Sequence, residues 1–176
     1  MRSKIMWVAV SALAACGGSA APGPGPGGTP PNSCTVTLSG ALSGSFNCST
    51  AAFGSWSSSA NQSTLGFGVN GTASTPAVGV GLFFAGPMHT GTYGSTDAGA
   101  NGAVNATPNS SSSQTWTAAA GSSSQGSYTM SLTDLGSSVA LGSGLAYPGV
   151  HGTLDATLPA AASTGASGTV TLHAVF

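Results

Sequence analysis

Glutamate is absent from this 176-residue chain, and its only lysine and arginine, Lys4 and Arg2, fall within the first four residues. Past them the formally charged side chains are Asp97, Asp134 and Asp155, with His89, His151 and His173 able to titrate. Whole classes of function go with that inventory. Nucleic-acid binding needs cations to neutralise phosphates, and none follow Lys4. The P-loop lysine and the arginine clamps of phosphoryl transfer are missing too, so nucleotide handling is excluded alongside. Without glutamate, three widely spaced aspartates are a poor supply for a two-carboxylate glycosidase, and no Gly-x-Ser-x-Gly elbow occurs. Abundant serine is not by itself a Ser-His-Asp triad, which is defined by geometry. The chain is therefore expected to be non-catalytic.

Long hydrophobic runs are also missing. The apolar stretch at residues 5–12 is too short to cross a bilayer, but it follows Arg2 and Lys4 and leads into small residues, the three-part layout of an export signal. Its exit, Leu13, Ala14, Ala15, Cys16, resembles the lipobox of bacterial lipoproteins. That resemblance implies cleavage after residue 15, acylation of Cys16 and a lipid-anchored protein of the cell envelope. Gly17, rather than aspartate, follows the cysteine, which by the same resemblance points to the outer membrane, with the domain in the periplasm or at the cell surface. Cysteine arithmetic agrees: of three cysteines, lipidation of Cys16 removes the odd one and leaves Cys34 and Cys48 to pair in an oxidising compartment.

Residues 17–33 interleave Pro22, Pro24, Pro26, Pro30 and Pro31 with glycine. Such a tether is part flexible and part polyproline, with a reach of roughly 50 Å when extended at about 3.1 Å per residue. The expected organisation is a signal peptide at 1–15, the lipidated Cys16 and tether at 16–33, and one domain at 34–176.

Within that domain the apolar residues alternate, and no segment carries a helical period. Residues 34–39 place Val36 and Leu38 on one face, and residues 44–49 place Phe46 and Cys48 on one face. A turn between them makes a hairpin closed by Cys34–Cys48, a loop worth on the order of 3 kcal/mol. Leu65, Phe67 and Val69 alternate with glycine, as do Val78, Val80 and Leu82. Residues 98–113 read as a long loop broken by one strand at 103–107. A second hairpin is expected from 114–118 and 127–133, and two strands at 150–158 and 168–176 close the chain. The whole reads as all-β, a single antiparallel β-sandwich or else a small β-barrel, of about eight to ten short strands.

Two candidate sites follow. If the last two strands pair with Leu158 opposite Gly168, then His151, Asp155 and His173 share an outer face, with His173 diagonal to both others. That set is suited to weak Zn²⁺ or Cu²⁺ binding; no other cofactor is expected. The second site is aromatic. Tyr147, Trp56 and Tyr93 are candidates for stacking on sugar rings, Tyr147 the most exposed of them beside Pro148, whereas Trp116 belongs to the core. A surface of hydroxyls and amides suits a neutral polysaccharide. The expected function is a non-catalytic envelope lipoprotein, a structural or binding module facing neutral glycan or another envelope protein; the alternative is metal binding through His151, Asp155 and His173.

Overall fold

The computed structural model describes residues 33–97, 99–121 and 126–176. The expected signal segment, Cys16 and the tether up to residue 32 lie outside the described residues. Those described form thirteen strands and no helix: β1 (Thr35–Gly40), β2 (Gly44–Asn47), β3 (Thr50–Ser57), β4 (Gln62–Val69), β5 (Ala77–Ala85), β6 (Gly91–Gly94), β7 (Asn101–Thr107), β8 (Trp116–Ala119), β9 (Ser127–Asp134), β10 (Val139–Leu141), β11 (Gly144–Tyr147), β12 (His151–Pro159) and β13 (Thr169–Val175). They build a six-stranded sheet in the order β2-β1-β13-β12-β9-β6 and a seven-stranded sheet in the order β10-β11-β3-β4-β5-β7-β8. Neighbouring strands are antiparallel throughout. An isolated bridge, Trp116 to Ala160, ties the β8 edge to the chain just past β12, but no continuous ladder closes the two sheets on each other, so the fold is a β-sandwich and not a barrel.

The period-2 pattern explains the packing. Val36, Leu38, Leu154, Leu158, Val170 and Leu172 point inward from the six-stranded sheet and meet Leu65, Phe67, Val80, Leu82 and Val104 from the other, all buried in one core. Phe67 and Phe176 touch across it with ring centroids 4.9 Å apart. The β1–β2 hairpin forms as the sequence indicates: the Cys34–Cys48 disulfide closes it, and the Cys48 amide donates to the Cys34 carbonyl at 2.8 Å. Gly102 holds φ +95° within β7, where a Cβ would run into the carbonyl oxygen of Gly81 on β5. A side chain there would force the two strands apart.

Two expectations are corrected. The strands number thirteen, not eight to ten, because β3, β6, β10 and β11 were not legible. Residues 114–118 and 127–133 do not form a hairpin: β8 pairs with β7 in one sheet and β9 with β12 and β6 in the other. Trp116 and Ala118 face Tyr128, Met130 and Leu132 across the core instead of beside them. The strand expected at 103–107 is present as β7, starting two residues earlier and lying between β5 and β8.

Candidate functional site

β12 and β13 pair as expected but two residues further along, with Leu158 opposite Val170 rather than Gly168. A two-residue slip keeps every side chain on its predicted face and changes only which residues are opposite. Asp155, not Thr153, stands directly opposite His173. Their side chains meet, His173 Nδ1 lying 2.7 Å from Asp155 Oδ1. Because a carboxylate only accepts, Nδ1 carries the proton, which leaves Nε2 as the free ring position.

His151 does not join them. It sits four residues along β12 from Asp155, about 13 Å away, opposite Asp134 and beyond the last residue of β13 that pairs with β12. It lines a different depression, of about 250 Å³, with Thr133, Thr153 and Val175. Two donors fall short of the three protein ligands of a Zn²⁺ site, and no group of three His, Cys, Asp or Glu among the described residues is arranged to hold a metal ion.

What surrounds the His173–Asp155 pair is hydroxyl. Thr37 on β1 lies opposite His173 on one side, and Thr129 on β9 lies opposite Asp155 on the other. One strand position along, Ser39, Thr171, Thr157 and Ser127 form a parallel row. Adjacent hydroxyls are already coupled, Ser39 Oγ to Thr171 Oγ1 at 2.7 Å and Thr37 Oγ1 to Ser45 Oγ at 3.4 Å. Together these residues line a shallow depression of about 320 Å³ on the outer face of the six-stranded sheet. The His173 and Asp155 side chains are 51% and 67% exposed, so both remain solvated and available to a ligand. Tyr128 underlies the floor with its ring in the core; burial pushes its phenol above the ordinary range, and the Asp97 carboxylate adds to the shift.

The aromatic candidates fare differently. Tyr147 is buried at 7% exposure, against the expectation that it stands out. Its strand β11 lays it opposite Gly54 on the inward face of the sheet, and the ring joins the core. Tyr93 is buried as well: its ring packs on Phe84 at 4.5 Å between centroids. Its hydroxyl donates to the His89 carbonyl at 2.7 Å and accepts from the His89 amide at 3.0 Å, closing the β5–β6 loop. Burial raises its phenol pKa, with the His89 backbone bond acting the other way. Trp116 is core, as expected, with Nε1 donating to the Ser167 carbonyl at 3.2 Å. Trp56 alone of the stacking candidates stays partly exposed, lining a depression of about 240 Å³ with Ser55, Ser57, Gln62 and Thr64. Among the described residues Phe53 is the exposed aromatic, at 45%; its position in a run of serine and alanine leaves no alternation to mark it.

All six His and Asp side chains among the described residues lie on the six-stranded sheet or in the loops flanking β6, and none on a strand of the seven-stranded sheet. The chain matches no protein-family model, no curated protein and no solved structure.

Proposed function

We propose that this chain is an exported, non-catalytic lipoprotein, held in the bacterial outer membrane by acyl groups on Cys16, whose domain binds neutral glycan on the outer face of the six-stranded sheet. The observation that carries the reading is the depression around His173 and Asp155, where an imidazole and a carboxylate sit among hydroxyls from β1, β9, β12 and β13. A sugar presents hydroxyls that donate and accept at once, and Thr, Ser, Asp and His Nε2 answer both roles. Neutrality follows from charge: past Lys4 the chain has no lysine or arginine to meet an anionic sugar, and Asp155 would repel one.

With the tyrosines buried, recognition rests on hydrogen bonds more than on stacking. Each nets only about 0.5–1.5 kcal/mol against water, so a single site is weak. Many copies anchored in one membrane facing a repetitive polymer gain avidity of about a hundredfold or more. The lipid anchor therefore serves binding as well as location.

Retention of the exported chain, carrying Cys16→Ser, on insoluble and soluble envelope polysaccharides tests the reading. The expected result is retention on neutral glycan that EDTA leaves unchanged and that Asp155→Ala reduces about tenfold. No retention, or retention indifferent to Asp155→Ala, would sink it.

A further inference from the structure

The outer face of the seven-stranded sheet differs from the glycan site in charge and in exposed apolar side chains. It carries no charged side chain on any strand, and three of the four exposed large hydrophobics, Phe53, Val139 and Leu141, lie on it. Its middle is paved with small residues: Phe53 is opposite Gly66, Gly66 opposite Gly81 and Gly81 opposite Ala103. In the next row Gly68 is opposite Gly79. Above Gly79 and Gly81 the space is open, with no atom within 4 Å of where a Cβ would stand. The exposed Phe53 ring thus stands beside a bare hollow two strands away, about 10 Å across the sheet, which the partly buried Phe83 borders along β5.

From this face we infer that the protein forms a two-fold dimer in which the seven-stranded sheets of two copies pack against each other, Phe53 of each filling the Gly79–Gly81 hollow of the other. An isologous contact requires a patch that complements itself, and a knob and a hollow on one face satisfy that under a single two-fold axis. A charged face would repel its own copy, whereas this one brings no formal charge to the contact. Glycines in a strand are where another backbone can approach closely, and twisted sheets pack face to face at about 30°. The strands present roughly 700 Å² of projected face, close to the roughly 800 Å² per partner of a stable interface. Such a dimer would leave both hydroxyl faces outward, a bivalent arrangement. The inference stands without the glycan reading, since it uses only the opposite sheet.

Sedimentation equilibrium of the exported chain with Cys16→Ser provides the test, with circular dichroism confirming the fold of each variant. A reversible dimer is expected, weakened about tenfold or more both by Gly81→Leu, which fills the hollow, and by Phe53→Ser, which removes the knob. Val175→Ser, an exposed apolar residue on the other sheet, should leave the dimer intact. A monomer at every concentration, or a dimer that Gly81→Leu does not weaken, would overturn the inference.

Discussion

Replacing both bridged cysteines, Cys34→Ala with Cys48→Ala, is expected to lower the melting temperature by about 10 °C. The bridge spans 14 residues of sequence, and closing a loop of that size removes about 3 kcal/mol worth of conformational freedom from the unfolded chain. For a domain this large, each kcal/mol corresponds to about 2–4 °C. The folded state has little to offset the loss, because β2 is an edge strand whose one strand neighbour is β1. Thermal unfolding followed by circular dichroism is the assay, with reductant as an internal control. Reductant should bring the native protein down to the variant and leave the variant where it is. A variant melting within about 2 °C of the native protein would refute the argument that the bridge acts by constraining the unfolded chain.

Leu154→Ala removes a fully buried side chain from the centre of β12 and should cost about 3–4 kcal/mol in chemical denaturation. Gly102→Ala places a Cβ against the Gly81 carbonyl at positive φ and should cost about 1–3 kcal/mol, measured the same way. The Tyr128 hydroxyl is buried without a partner, so Tyr128→Phe should be neutral or slightly stabilising in equilibrium unfolding. Its phenol, like that of Tyr93, has a raised pKa in the folded state. Their neutral forms therefore favour folding below the ordinary value of about 10, and that contribution fades as pH rises through the folded values. Stability should accordingly fall on the alkaline side, and Tyr128→Phe should flatten the fall.

Legibility in the sequence followed the contrast between large and small residues. β4, β5, β12 and β13 alternate large inward residues with Gly, Thr or Ser, and their faces could be read directly. β3 places Ala52 and Gly54 inward and Ser55 outward, so neither face stands out. β6, β10 and β11 are three or four residues long, too short for a period to show. The two-residue register difference at β12–β13 arises because the loop keeps Pro159 paired with Thr169, and pattern alone does not fix loop length. The consequence for the site was large even though each face was right: Asp155 and His173 moved from diagonal to opposite, and His151 fell out of reach. Tyr147 was misread because a proline and several glycines mark a turn, while the ring itself follows the inward face of β11.

The proposed glycan contact lies on the hydroxyl face around His173 and Asp155. Titrating the isotopically labelled exported chain, with Cys16→Ser, with a neutral oligosaccharide of the host envelope, while recording amide and imidazole NMR shifts, addresses it most directly. Saturable shifts confined to Thr37, Ser39, Thr129, Asp155, Thr171 and His173 are expected, and their loss in Asp155→Ala. That variant should stay folded, since a pair more than half exposed contributes under about 0.5 kcal/mol. Shifts centred on the seven-stranded sheet, or none at all, would contradict it.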